Sequence, residues 1–218
     1  LWVCNEMAAL KSLGEGRDLY KEFASIAFNV PYEEVTKAQR FIGKTSQLGL
    51  IFGVGAAKLR EAVRAGSGTD LGEVESKRIV DLYRETYKGV VAFWKVCQQV
   101  IDSMVVDDYY AFGNANLYKL EGNRGVRLPS GLYMHYPHLM LGADDKTNST
   151  GYFYKVRNGY DRLYGGKLTN NLVQATARCI MAEAMIRISK KYRIALCVHD
   201  ALYIVVEKDE AQQALDYV

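Results

Sequence analysis

Four side chains at steps of four could hold a nucleotide. They lie in the stretch Arg40-Phe41-Ile42-Gly43-Lys44-Thr45-Ser46-Gln47-Leu48-Gly49-Leu50-Ile51-Phe52-Gly53. A helix turns about 100° per residue. With Arg40 at zero, Lys44 falls near 40°, Leu48 near 80° and Phe52 near 120°, in round figures. The stripe begins with cations and ends with a ring. A nucleoside triphosphate has the same polarity, with phosphates at one end and a flat base at the other. Lys44 would be a point charge on the phosphates, and Arg40 could fork onto two oxygens of one phosphate. Phe52 would offer a surface near base or sugar. Spacing alone also fits a plain amphipathic helix with two solvated cations.

A second stretch supplies a carboxylate. Cys197-Val198-His199-Asp200 leads into Ala201-Leu202-Tyr203-Ile204-Val205-Val206-Glu207. Ile194, Leu196, Val198, Leu202, Ile204 and Val206 read as apolar anchors of two strands, with His199-Asp200 at the bend between them. Phosphoryl transfer can use two divalent ions about 4 Å apart, held by carboxylates. A bare His-Asp pair also suits a surface turn or a metal phosphohydrolase. The last needs more His and Asp ligands on helices. Only His135 and His138 remain, in a strand-like Tyr/Pro-rich stretch, where packing or solvent exposure is the expected role.

The bulk properties bound the partners weakly. The 218 residues are 49% hydrophobic and 24% charged, with a formal net charge of +3. That suits one globular domain or two joined lobes. It is mild support for a polyanion, since local clusters matter more than the total. No apolar run approaches the roughly 18 residues of a bilayer span. Cys4, Cys97, Cys179 and Cys197 form no C-x-x-C pair, so reduced core thiols and a cytoplasmic setting (host cytoplasm if the source is viral) are expected.

The elements that must position these residues can be read coarsely. Residues 1–104 read as mostly helical. A helix is predicted after Asp18, and Val30-Pro31 ends it. Thr36-Lys37-Ala38-Gln39 has the spacing of a capping box, so the helix bearing Arg40 should start there and run towards Phe52. Ile79, Tyr83, Tyr87, Val90, Trp94, Cys97, Ile101 and Met104 predict one long amphipathic helix from about Glu73 to Met104, its stripe packing the core. Residues 105–166 are rich in Tyr and Gly and predict short strands and loops. A helix from Asn170 or Asn171 to about Lys190 should carry the stripe Leu172, Ala175, Cys179, Ala182 and Ile186. Strand, bend and strand follow, and then a helix over 210–218.

Order and spacing together resemble the A-family DNA polymerases of bacteria and many phages. The family's fingers helix has an Arg, a Lys four residues on, and two aromatic-Gly pairs. Here Arg40, Lys44, Leu48-Gly49 and Phe52-Gly53 stand in that register. Glu15-Gly16-Arg17-Asp18-Leu19-Tyr20, Ala56-Ala57-Lys58-Leu59 and Asp81-Leu82-Tyr83-Arg84-Glu85-Thr86-Tyr87 match the surrounding text. The family's palm signature is a His-Asp pair followed by an acid, between apolar strands. The resemblance implies that Lys44 and Asp200 are catalytic and that Arg40, Lys44, Leu48 and Phe52 bind nucleotide. It implies that Asp200 ligates metal, with two Mg²⁺ ions in the complete enzyme, and that His199 touches the primer end. Asn170-Asn171-Leu172-Val173-Gln174 resembles the family helix at the primer–template junction. Asn170 and Gln174, four apart on one face, would meet minor-groove acceptors common to every base pair. Lys167 and Arg178 could meet phosphates.

The implied fold is α+β: a helical fingers subdomain, then a partial antiparallel-sheet palm with a catalytic β-hairpin. The expected layout is 1–18 as the remnant of a palm helix, 19–104 as fingers and long helix, and 105–218 as palm. Primer–template DNA and deoxynucleoside triphosphates are the implied partners, with a monomeric unit and no membrane. There are departures. Leu48 stands where the family has Phe or Tyr, Phe52 where many members have Tyr, and Ala201 where the second acid is expected. The family's first metal carboxylate, in an Asp-x-Ser-Gln-Ile-Glu type segment, has no counterpart. The chain is therefore expected to be a C-terminal polymerase fragment, inactive in isolation. A non-catalytic polymerase relic that binds DNA or nucleotide is the alternative. Tyr164-Gly165-Gly166-Lys167-Leu168-Thr169 has a phage-like cast.

Overall fold

Capping side chains start the early helices. The computed structural model describes residues 1–143 and 149–217. After a 3₁₀ turn at Trp2–Cys4 come α1 (Met7–Gly14), α2 (Leu19–Phe28) and α3 (Lys37–Leu50). The Asp18 carboxylate accepts from the Tyr20 and Lys21 amides at 2.9 and 3.2 Å, satisfying orphan donors of α2. The Thr36 capping box is present: the Gln39 amide donates to Thr36 Oγ1 at 3.2 Å and the Thr36 amide to Gln39 Oε1 at 2.9 Å. That box fixes where α3 begins, and hence the phase of Arg40, Lys44 and Leu48. α4 (Ala56–Ser67) then closes the first helical layer.

The long stripe splits in two. α5 (Gly72–Thr86) and α6 (Lys88–Val105) meet at Tyr87, whose φ of −108° and ψ of 65° are not helical. Tertiary partners stabilise the break. The Glu6 carboxylate accepts from the Val90 amide at 3.0 Å, satisfying a donor at the start of α6, and Gln47 Nε2 donates to the Tyr87 hydroxyl at 2.5 Å. The stripe still packs the core as expected, with every member buried except half-buried Trp94. Phe23, Tyr83 and Tyr87 form an aromatic cluster with centroids 4.7 to 6.0 Å apart.

Two antiparallel sheets follow. The first has the order β1 (Tyr109–Phe112), β2 (Tyr118–Glu121), β3 (Val126–Arg127), β4 (Tyr133–Met134). The second has the order β5 (Met140–Ala143), β6 (Thr150–Val156), β7 (Gly159–Leu163). Then come α7 (Gly165–Ser189), the hairpin β8 (Arg193–Val198) and β9 (Ala201–Val205), and α8 (Ala211–Tyr217). One core runs from Cys4 to Leu172, joining the helical half to the first sheet and to α7. A second, small core of Ile188, Tyr192 and Ala214 seats Ile194, Leu202, Ile204 and Val206 of the hairpin region. An isolated hairpin is marginal in water, so this seat on α7 and α8 is what holds it.

α7 begins at Gly165, five residues before the predicted start. Glycine is a poor helix former, and the packing explains its use. A Cβ at Gly165 would collide with the Trp94 carbonyl, and one at Gly166 would lie 2.5 Å from the Phe52 carbonyl oxygen. The two glycines let α7 press against α6 and the end of α3. Gly165→Ala should therefore destabilise the fold by about 1–3 kcal/mol through overpacking, read as a lower denaturant midpoint at unchanged m-value.

All four cysteines are free thiols, and three are buried. Burial pushes Cys4 up to about 11 and Cys97 up to about 12, so both stay protonated and unreactive.

Candidate active site

α3 presents its cations outward. Arg40 and Lys44 are exposed, and Leu48 is 52% exposed, while Ile42, Gln47 and Leu50 are buried on the other side. Phe52 departs from the expectation. α3 ends at Leu50, and Phe52 sits half-buried in the turn beyond it, its amide donating to the Gly49 carbonyl at 3.3 Å. Gly53 at φ 79° completes that turn. The aromatic end of the stripe is thus set by a turn, not by helix phase.

Arg40 has a partner that spacing does not reveal. Its Nε donates to Asp18 Oδ2 at 2.5 Å, and its guanidinium lies 5.7 Å from the Tyr20 ring centroid. Among the described residues only Nε is engaged, so the terminal nitrogens remain for a ligand. Desolvation opposes ionisation of Asp18, but the hydrogen bonds from Arg40 and from the Lys21 and Tyr20 amides outweigh it and hold the carboxyl below its ordinary value. A depressed carboxyl contributes stability above its unfolded pKa and loses it as pH falls through the folded value. Asp18→Asn should accordingly remove part of the stability lost on acidification below about pH 4. Parallel thermal melts of the two proteins from pH 7 to pH 2 would check this. Lys44, in contrast, has no hydrogen bond or ion pair among the described residues.

The hairpin presents Asp200 at its tip. Val198 pairs with Ala201, leaving His199-Asp200 as a two-residue loop, and both residues are exposed. His199 has φ 52°. Two-residue hairpins want a positive φ at the first loop position, and a non-glycine residue there is strained by about 1–2 kcal/mol. A register shift between Ile194 and Leu196 bends β8 just before the tip.

α7 carries the remaining candidates. Asn170 is half-buried and Gln174 exposed, one turn apart. Lys167, which could meet phosphates, pairs with Asp161 and sits 5.6 Å from the Tyr154 ring centroid. Arg178 is exposed, with Nη1 4.0 Å from Cys197 Sγ. Of the predicted stripe, Leu172 and Cys179 are buried, but Ile186 is 62% exposed. His135 and His138 are exposed, as expected.

Some of these residues meet and others do not. The turn bearing Phe52 packs on the start of α7 through Gly166, and Trp94 Nε1 donates to the Ile51 carbonyl at 2.9 Å. No hydrogen bond or ion pair among the described residues links the hairpin tip to Arg40 or Lys44. Asp18, Tyr20 and the contacts of Trp94 with Gly165 and of Phe52 with Gly166 were missed as site-building groups. The Gly165-Gly166 pair was the available signal for the junction.

A divalent ion needs hard oxygen donors. Asp200 fits as one such donor. No group of three or more His, Cys, Asp or Glu suited to a metal exists among the described residues. This donor set by itself is short of a two-ion site.

The capped helices, small antiparallel sheets and terminal hairpin form an α+β fold of the polymerase fingers-and-palm kind. Residues 3–110 match the sequence model described as DNA polymerase family A. The DNA polymerase of Bacillus phage SP02 is 30% identical over 218 residues, covering 95% of this chain and 33% of that protein. DNA polymerase I of Synechocystis sp. is 23% identical over 217 residues, covering 97% of this chain and 20% of that protein. A solved structure titled POL domain of Pol1 from M. smegmatis, complex with DNA primer-template and dNTP, shares the fold. Its TM-score is 0.68 at 21% identity, covering 99% of this chain and 32% of that one. The chain is thus similar to DNA polymerase family A, through residues 3–110 in the family model and along nearly its whole length in the phage polymerase. It spans a third or less of the length of these relatives.

Proposed function

We propose that these 218 residues supply the fingers and most of the palm of a template-directed DNA polymerase, which adds deoxynucleoside monophosphates to a primer 3′ end. In this layout residues 1–18 are the end of a palm helix, 19–104 the fingers with α6, and 105–218 the palm. The observation that carries the reading is the pairing of two features in a chain similar to family-A polymerases. One is the exposed face of Arg40 and Lys44, phased by the Thr36 capping box; the other is Asp200 on the strained hairpin tip.

Each residue has a task. Lys44 places one positive charge on the triphosphate. Arg40, aimed by Asp18 and Tyr20, grips a second phosphate oxygen with its terminal nitrogens. Phe52 and Leu48 supply apolar surface to base and sugar. Asn170 and Gln174 hold the minor groove of the primer–template end without reading sequence, and His199 meets the primer terminus. Asp200 supplies one oxygen donor to the Mg²⁺ centre of the complete enzyme, and the bound ions would neutralise charge on attacking and leaving oxygens. The working unit is a monomer, and its place of work is the cytoplasm. No helix among the described residues is long and apolar enough to cross a membrane.

Ala201 after Asp200, together with the short donor set, favours one second reading: a polymerase relic that binds DNA or nucleotide without chemistry. Primer extension and gel shift separate the readings. The 218-residue polypeptide should bind a primer–template but add no nucleotide to it with Mg²⁺ and all four triphosphates. The polymerase carrying these residues should extend the same primer. Absence of extension by that complete protein would favour the relic, and extension by the 218 residues alone would overturn the donor-set argument.

A further inference from the structure

Two of the chain's three histidines, His135 and His138, have no task in the polymerase reading. They lie on the link between the two sheets, where it meets the end of α6. A cavity of about 260 Å³ opens there, and Met104, Asn123, Gly125, His135, Tyr136 and His138 are among its walls. Three contacts pin the link. Met134 pairs with Val126 across β3 and β4. The buried Tyr136 hydroxyl accepts from Asn171 Nδ2 at 2.9 Å, and the Pro137 carbonyl accepts from the Lys155 amide at 2.7 Å. Gly125 allows the close approach, since a Cβ there would collide with the Met134 carbonyl. His135 falls between these anchors and His138 directly after them. Both are exposed, and neither has a hydrogen bond or ion pair among the described residues. Asn123 lies on the turn Gly122–Arg124 between β2 and β3. Its backbone amide donates to Asp107 Oδ1 at 2.7 Å, while its side chain makes no hydrogen bond among the described residues.

The donor types narrow the ligand. Neutral imidazole is the commonest protein ligand for transition metals and suits Zn²⁺. Mg²⁺ or Ca²⁺ would want carboxylates, and an anion would want cations. No Lys, Arg, Asp or Glu lines the cavity among the described residues. We propose that His135 and His138 bind one Zn²⁺ ion at this cavity, with Asn123 Oδ1 and water completing its shell. A closed structural zinc site has four protein ligands. This one offers fewer, so the ion is exchangeable. Once bound, it clips the link between the sheets to the turn between β2 and β3. Nothing in this site depends on the polymerase reading.

The test is calorimetric titration of the 218-residue chain with Zn²⁺ in excess Mg²⁺. Three histidines in all mean that three variants assign the site. His135→Ala and His138→Asn should each weaken Zn²⁺ binding about tenfold or more. His199→Asn should keep one equivalent at parental affinity. Asparagine suits the left-handed backbone of His138, at φ 54°, and of His199, at φ 52°. All three variants should melt with the parent in chelator, and Zn²⁺ should raise the melting temperature of the parent and of His199→Asn alone. A further readout needs no change at the cavity. In His199→Asn only His135 and His138 remain, and both imidazole signals in a ¹⁵N-histidine spectrum should move on adding Zn²⁺. A parent chain without a Zn²⁺ site would overturn the proposal. So would binding that survives His135→Ala, or binding lost in His199→Asn, which would place the ion at the hairpin instead.

Discussion

Asp200→Asn, in the polymerase proposed to carry these residues, should abolish nucleotide addition while leaving primer–template affinity within a few-fold of the parent. The side chain keeps its size and loses its charge. A metal centre contributes several kcal/mol of charge stabilisation in phosphoryl transfer, and about 1.4 kcal/mol is a factor of ten in rate. Loss of a ligand should thus lower single-turnover addition by about a thousandfold or more. Asp200 is exposed and makes no hydrogen bond or ion pair among the described residues. The fold should therefore not register the change, and thermal melting should be unaltered. Near-parental turnover in Asp200→Asn would remove the metal assignment.

Lys44→Ala gives the second large effect, and it falls on nucleotide rather than DNA. A charge-assisted hydrogen bond is worth about 1.5–3 kcal/mol, so the specificity constant for deoxynucleoside triphosphates should fall roughly ten- to a hundredfold. Lys44 is exposed and has no hydrogen bond or ion pair among the described residues, and surface changes of this kind stay within about 0.5 kcal/mol in stability. Lys44→Arg should restore part of the loss, because the charge returns with a different shape. Titration of single-turnover rate against nucleotide concentration, for the three proteins, measures both statements. A loss confined to primer–template binding would contradict the role given to Lys44.

The parts of this fold set by local chemistry could be read from the chain. The Thr36–Gln39 box is a contact between residues three apart, and it appears as predicted. The hairpin follows from apolar positions that alternate around His199-Asp200, with Ile194, Leu202 and Ile204 turned to the small core. Periodicity identified the buried stripe from Ile79 to Met104 but not its break. The stripe continues in phase through Tyr87, and the interruption depends on Glu6 reaching Val90 from far away in sequence. The start of α7 was misread for a related reason. Intrinsic propensity argues against Gly165-Gly166 in a helix, and only the nearness of α6 and the Phe52 turn makes small residues necessary.

The candidate site shows the same division. Arg40, Lys44, Leu48, Gln174 and Asp200 all reach the surface, as their spacing and the family likeness implied. The pairing of Arg40 with Asp18 joins residues 22 apart and had no local signal. Lys167 could meet phosphates by its charge, and its pairing with Asp161 on the preceding strand had no signal in the sequence. Charge type was legible, whereas partner choice depended on topology.

The most direct measurement is a crystal structure of the polymerase carrying these residues, with primer–template and an incoming deoxynucleoside triphosphate bound. The triphosphate should lie within hydrogen-bond reach of Lys44 Nζ and the Arg40 guanidinium. The Asp200 carboxylate should turn towards the α-phosphate from the opposite wall. A triphosphate seated away from α3, or a hairpin tip directed away from the primer end, would contradict this placement.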